Sequence, residues 1–439
     1  MASFSFRITH ADRNSRARAG VFRTPHGVIH TPAFIPVGTH ASVRGLAPSV
    51  LNQIGVEAVL ANTYHLMLRP GADVVAKLGG LHEFMRWPGP IITDSGGFQA
   101  FSLGAAIEHG VGKIASIFPD ERPAVIARAE AASEAWRVAT KQSLNVSTVR
   151  RLPRSLRSLA MTMVTHDQNK KSFVRITERG VEFRSHLDGS KHLLTPEKSI
   201  EVQEKLGADI VLAFDECTSP LATRAYTEHA MERTHRWAVR SLEAKTKSDQ
   251  ALFGIVQGGE YRELREKSAR FIAGLPFAGF AIGGSLGKSK RDMHQILDWT
   301  IPLLPENKPR HLLGIGGFDD IVEAIARGID WFDCVAPTRL ARRKGTVFTS
   351  TGNLNVTQAK FKKDRRPIEA DCPCPTCRGG FSRAYLRHLI AAQEPLAVEL
   401  ATAHNLNFMT RFMARVREAI AAGRFASFRK QVLRQTSRA

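Results

Sequence analysis

Two groups of residues in this chain are of types, and at spacings, that can do chemistry. The first is Cys372-Pro-Cys374-Pro-Thr-Cys377, which holds three of the chain's five cysteines, with His388 and His404 downstream. Three thiolates and one imidazole fill the four positions of a tetrahedral zinc ion, which makes such a site structural rather than catalytic. A disulfide within Cys-Pro-Cys would be strained, and pairing would leave one thiol over. The cluster therefore reads as zinc-binding through Cys372, Cys374 and Cys377. Either histidine can complete it; spacing and context favour His404. The second group is a set of residues standing at the ends of short apolar runs: Asn62, Asp94, Asp215, Gln257, Gly283 with Gly284, and Asp333. A lone aspartate in such a place is commonly a helix cap. Three at equivalent strand ends make a rim able to do acid–base and nucleophilic work.

The runs that must position these residues are 33–37, 58–61, 90–93, 209–214, 251–256, 278–282, 311–315 and 329–332. Runs this short, rich in Val, Ile, Leu and Phe, are the pattern of strands buried on both faces. Helical stretches at 196–206, 223–245, 261–273 and 319–327 separate several of them. Repeated strand–helix alternation predicts an α/β chain folded as a TIM (β/α)8 barrel, with a doubly wound open sheet as the competing arrangement. Residues 4–30 read as a strand pair with a charged turn at 12–18, capping the barrel floor. Residues 104–170 exceed what one crossover needs. Within them 123–142 is Ala-rich and reads as a helix capped by Asp120, and 143–158, rich in Ser and Arg, reads as a mobile surface segment. The expected organisation is a cap at 1–30, a barrel at 31–340 carrying the insertion, and a zinc-binding subdomain with basic helices at 341–439.

Apolar content of 43% and charged content of 23% are ordinary for a globular protein. A formal charge of +21 is not. That excess of Lys and Arg suggests a polyanionic partner, with nucleic acid the foremost candidate. No apolar run is long enough to span a bilayer, and the N-terminus lacks a charged-then-apolar signal pattern. Free thiols and a zinc shell fit a reducing compartment, so a cytoplasmic protein is expected.

Several strings, in this order, carry a resemblance: Asp94-Ser-Gly-Gly-Phe-Gln99, Phe183-Arg-Ser-His-Leu-Asp-Gly-Ser190, Phe214-Asp-Glu-Cys217, Gly254-Ile-Val-Gln-Gly258, Phe332-Asp-Cys-Val335 and Pro337-Thr-Arg339, then the cysteine cluster and His404-Asn-Leu406. Together they closely resemble the tRNA-guanine transglycosylases, also called queuine tRNA-ribosyltransferases, over nearly the whole chain except 104–170. The resemblance implies a TIM barrel with a C-terminal zinc-binding insertion, a homodimer, and exchange of the wobble guanine in tRNAs with a GUN anticodon for queuine or its 7-aminomethyl-7-deazaguanine precursor. It implies Asp333 as the nucleophile that captures the ribose and Asp94 as the general acid/base. Asp215 would accept hydrogen bonds from the base, Gln257 would meet its carbonyl, and the Gly283-Gly284 backbone would approach it closely. Phe98 offers a stacking face, and Ser95 and Asn62 would contact the base or hold Asp94. Cys217 reads as pocket wall, since no histidine beside it in sequence would activate it. Arg339, Arg342, Arg343 and Lys344 are candidate phosphate contacts for the anticodon loop, with the basic stretch 411–438 as a further one. A non-catalytic tRNA-binding homologue and a transglycosylase for another nucleic acid are the alternatives.

The chain also departs from the family. After the sixth run it reads Gly283-Gly-Ser-Leu-Gly-Lys-Ser289, where bacterial members usually have Gly-Gly-Leu-Ala-Val-Gly-Glu. A smaller Ser285 and a missing carboxylate point toward acceptance of the bulkier queuine. Leu313 stands where many relatives have Met, and Phe98 where some have Tyr.

Overall fold

The computed structural model describes residues 4–101, 174–220 and 222–436. The helix expected at 123–142 and the segment 143–158 lie outside them. The chain opens with three antiparallel strands, β1 (Ser5–Ala11), β2 (Arg18–Thr24) and β3 (Gly27–Thr31), in the order β1-β2-β3. A strand pair was expected. The third strand arises because Gly27, at φ +135°, lets the chain reverse after Thr24 and run back along β2.

Eight parallel strands then close into a barrel: β4 (Ala33–Gly38), β5 (Val59–Ala61), β6 (Ile91–Thr93), β10 (Ile210–Leu212), β11 (Ala251–Val256), β12 (Gly279–Ile282), β13 (Arg310–Leu312) and β14 (Trp331–Cys334). Each pairs with the next, and β14 returns to β4. All eight expected runs are strands, and the open sheet is excluded. Between β6 and β10 an antiparallel sheet intervenes, made of β7 (Val174–Ile176), β8 (Val181–Arg184) and β9 (Lys191–Leu194), which the sequence reading did not foresee. Four strand ends differ from expectation: β4 runs one residue further, to Gly38, and β10 stops two short, at Leu212. β13 stops at Leu312 because Gly314, at φ +78°, breaks the extended run. β14 continues through Cys334, so Asp333 lies within the last strand rather than beyond it.

The interior is filled by Ile35, Leu60, Ile92, Leu212, Phe253, Ile255, Ala281 and Trp331. At the strand starts Phe22 of the N-terminal sheet closes it, its ring 5.5 Å from that of Trp331 and 6.1 Å from that of Phe253. Two fully buried carboxylates lock this floor. Asp330 takes Arg18 Nε at 2.9 Å and Nη2 at 2.6 Å, and accepts the Arg310 N–H at 2.7 Å. Asp209 accepts the Ile91 N–H at 2.8 Å and lies 2.9 Å from His26 Nδ1 and 3.2 Å from His82 Nε2.

Beyond β14 come the helix Ala336–Lys344, a hairpin of β15 (Thr346–Thr349) and β16 (Gly352–Asn355), and the helices Pro375–Arg378, Arg383–Ala391, Pro395–Ala421 and Phe425–Thr436. The 27-residue helix begins with Pro395, tolerated in a first turn, and ends just before Gly423 at φ +65°. It packs on the helix Ala336–Lys344 and on β4, β1 and β2. Asn405 Nδ2 donates to the carbonyls of Pro337 and Thr346, both at 3.0 Å, and Arg417 Nη1 donates to those of His30 and Pro32 at 3.1 and 2.9 Å. Among the described residues no helix is long and apolar enough to cross a membrane.

Candidate active site and metal centre

Asp94 leaves the end of β6, and its carboxylate is held by the start of the helix Thr63–Leu68. Asn62 caps that helix by accepting the His65 N–H at 3.0 Å while its Nδ2 donates to Asp94 Oδ2 at 2.5 Å. The Thr63 N–H reaches Oδ1 at 2.8 Å, and Gln99 Nε2 reaches Oδ2 at 3.2 Å. Every donor is neutral. Burial pushes the carboxyl up to about 7, and the charge of nearby Asp333 adds to the rise, against the pull of the Thr63 N–H. Of the two roles expected for Asn62, the geometry carries out the holding of Asp94.

Asp215 follows β10 and is buried. Ser95 Oγ donates to its Oδ1 at 3.0 Å and Gln257 Nε2 to its Oδ2 at 2.6 Å, so Ser95 serves Asp215 rather than Asp94. Burial pushes this carboxyl up to about 6, and the adjacent Glu216 charge adds to it. The other amide atom, Gln257 Oε1, has no partner among the described residues. It sits where a Cβ on Gly284 would stand, 2.0 Å away, so the close approach expected of Gly284 is to Gln257. The thiol of Cys217 is pushed up to about 12 by burial, with the Asp215 charge adding to it, which suits a pocket wall and not a nucleophile.

A residue absent from the sequence reading ties this wall together. Arg265, fully buried, donates to the carbonyls of Gly259 at 2.8 Å, Val256 at 3.0 Å, Gly283 at 3.1 Å and Ser285 at 2.7 Å. Its guanidinium thus fixes the loops after β11 and β12, with Gln257 in one and Gly284 and Ser285 in the other. Its position on the buried face of the helix Arg262–Ala273 was the available signal.

Asp333 sits across the rim in β14. Its Oδ1 lies 2.9 Å from His311 Nε2 and accepts the Gly314 N–H at 3.1 Å. His311, the middle residue of β13, was read only as part of a strand. Phe98 is 46% exposed, leaving a face open for stacking. Arg339, Arg343 and Lys344 are exposed on the helix that follows β14, and Arg342 is half-buried with Nη1 on Thr338 Oγ1 at 2.9 Å. Burial lowers the Arg342 pKa, and the charges of Arg44, Arg343 and Arg339 push the same way, which brings Arg44 into this cationic group.

The cysteine cluster has the donor set of a metal site. Cys372, Cys374, Cys377 and His404 are all buried, and their Sγ atoms lie 3.7, 3.5 and 3.4 Å from His404 Nδ1. Tetrahedral zinc with ordinary Zn–S and Zn–N bonds needs S···N edges of about 3.6 Å. His404 Nε2 lies 2.7 Å from the Phe348 carbonyl, which fixes the proton there and turns the Nδ1 lone pair to the thiols. The residues fit a zinc ion. His388 is not in the cluster.

Fold and site together define a (β/α)8 barrel with three carboxylates on its C-terminal rim and a Cys3His metal module behind its last strand. The sequence pattern of the family described as queuine tRNA-ribosyltransferase matches residues 12–117 and 153–438, so that 118–152, inside the 104–170 segment, is unmatched. A relative in Archaeoglobus fulgidus is 49% identical over 438 residues, with 98% of each chain covered. A queuine tRNA-ribosyltransferase of Herpetosiphon aurantiacus is 47% identical over 429 residues, covering 98% of this chain and 91% of the relative. One of Pelotomaculum thermopropionicum is 44% identical over 432 residues, 98% of each. The chain belongs to the queuine tRNA-ribosyltransferase family.

Proposed function

We propose that this protein is a pentosyltransferase that exchanges the wobble guanine of GUN-anticodon tRNAs for queuine or its 7-aminomethyl-7-deazaguanine precursor, generating the queuosine modification. The observation that carries the reading is the pair of rim carboxylates with opposed environments. Asp94 is pushed up to about 7 among neutral donors, the value wanted of a group that gives and takes a proton. Asp333 has one oxygen anchored and the other unengaged among the described residues. In the first displacement Asp333 bonds to the ribose C1′ as the bond to guanine N9 breaks, and Asp94 supplies the proton the departing base needs. In the second, Asp94 takes the proton from the incoming base, whose nitrogen displaces Asp333. Two inversions give retention, and the tRNA backbone stays whole.

Asp215 and Gln257 would read the base edge, Phe98 would stack on it, and the Gly284–Ser285 segment would border its substituent. The small Ser285 and the missing carboxylate favour acceptance of queuine. Arg339, Arg342, Arg343 and Lys344, with Arg44, would hold anticodon-loop phosphates. One zinc per subunit, bound by Cys372, Cys374, Cys377 and His404, would hold the 341–439 region in shape without entering the reaction. A homodimer in the cytoplasm completes the reading, as does a division into the cap 1–30, the barrel 31–340 and the zinc subdomain. The test is uptake of labelled guanine into unmodified tRNA, with Asp333→Asn as control. Uptake by the wild type alone supports the reading, and none by either defeats it. Offering the two deazaguanine bases in parallel then sharpens it, since exclusive use of the aminomethyl base would remove the queuine preference.

A further inference from the structure

The two oxygens of Asp333 are used unequally. Oδ1 has both donors, His311 Nε2 at 2.9 Å and the Gly314 N–H at 3.1 Å. No donor among the described residues reaches Oδ2. His311 is fully buried, its ring 6.1 Å from that of Trp331, and its Nδ1 has no hydrogen-bond partner among the described residues. A neutral imidazole carries one N–H. On Nδ1 that proton would be buried without an acceptor, and the bare Nε2 would face a carboxylate oxygen, lone pair against lone pair. On Nε2 it makes a charge-assisted bond. The surroundings therefore select the Nε2–H tautomer.

We propose that His311 is a positioning residue that reserves Oδ2 of Asp333 for attack and sets how long the covalent intermediate lives. The inference rests on the reading of Asp333 as the nucleophile. In the first displacement an Oδ2 electron pair forms the bond to C1′, and the C1′–N9 pair leaves with the base. Oδ1 then becomes the carbonyl oxygen of a neutral ester. In the second displacement the incoming nitrogen forms its bond to C1′, and the C1′–Oδ2 pair returns to the carboxylate, spreading charge onto Oδ1 again. A donor on Oδ1 is bound more strongly by the carboxylate than by the ester, because hydrogen bonds to charged acceptors are the stronger ones. His311 therefore restrains the first step slightly and speeds the second, keeping the enzyme from being stranded on its tRNA.

The test compares His311→Phe and His311→Gln with wild type in the full-length protein. Three quantities are read: the fraction of enzyme carried as a denaturant-resistant tRNA adduct, the rate at which added guanine chases it, and KM for tRNA. The Phe variant is expected to hold several-fold more adduct and to release it about 10- to 100-fold more slowly, with KM nearly unchanged. Glutamine, whose amide reaches the place of Nε2, is expected to restore most of the release rate. A Phe variant with wild-type adduct level and chase, or a Gln variant as slow as Phe, overturns the proposal. Nitrogen NMR of the histidines in the free protein is a separate reading. Assignment of the His311 proton to Nδ1 also overturns the proposal, and an Nε2–H signal that moves in Asp333→Asn supports it. If the wild type forms no adduct with tRNA, the nucleophile reading fails, and the NMR result still decides the His311–Asp333 bond.

Discussion

The barrel carries buried aspartates at both ends, and the two ends treat them in opposite ways. At the floor, Asp330 is clasped by the fork of Arg18 and Asp209 lies against two histidines, each also taking a backbone N–H from the neighbouring strand. Hydrogen bonds from His82, Ile91 and His26 hold Asp209 below the usual carboxylate range although burial alone would raise it. At the rim, Asp94 and Asp215 receive only neutral donors, and both rise, to about 7 and about 6. Asp209 at one end is thus held low by its donors, while Asp94 and Asp215 at the other end are left raised. What separates Asp330 from the rim pair is the charge of its donor Arg18, since both kinds are hydrogen-bonded and buried.

The largest expected effect is at the rim. Asp333→Asn should lower tRNA exchange by about 10^4-fold or more, with thermal unfolding close to wild type, because it removes the proposed nucleophile and not a fastening. The reverse result is expected at the floor. Asp330→Ala leaves Arg18 buried without its anion and should cost about 3–5 kcal/mol in denaturant unfolding, while the folded fraction keeps its exchange rate. A stability loss of the same size in Asp333→Asn would erase the contrast.

Asp215→Asn sharpens it further. A carboxyl raised in the folded state keeps its proton longer than in the unfolded chain, so it subtracts stability as pH climbs from about 4 to about 6, and the cost stays at higher pH. The amide has no such cost, and Gln257 can turn its unpartnered Oε1 toward it. The variant should match wild type below pH 4 and exceed it by about 1–3 kcal/mol above pH 6, while losing base exchange. The smallest effects belong to the exposed cations. Replacing Arg339 or Arg343 by Ala should raise KM for tRNA and lower the slope of log affinity against log salt by about one for each phosphate left without its cation.

Much of this was legible in the sequence because buried parallel strands and tight metal clusters are local patterns. The eight apolar runs and the Cys-x-Cys-x-x-Cys string need only their own neighbours to be recognised. Asp94, Asp215 and Asp333 stand out together in the sequence because barrel geometry sends strand ends to one rim. His311, Arg265 and Arg44 were not, since each acts through a partner distant in sequence. His311 reads as one polar residue in a strand, and Arg265 as one charge among several on a basic helix, until folding buries it against four carbonyls. Ser95, expected to contact the base or to hold Asp94, bonds Asp215, because the side chains of adjacent rim residues diverge.

The helix Pro395–Ala421 touches the Cys3His cluster through His404, the helix Ala336–Lys344 through Asn405, and the floor through Arg417. It also lies across β4, the strand that waits for β14 to close the barrel. During synthesis the first barrel strand pairs with β5 early, but it leaves the ribosome long before β14 and this helix, which cover its other side. A nascent chain stalled before residue 395 is expected to remain open to protease at the β14–β4 seam, and release of the last helices to be the event that protects it. The end of the chain decides when the beginning is finished.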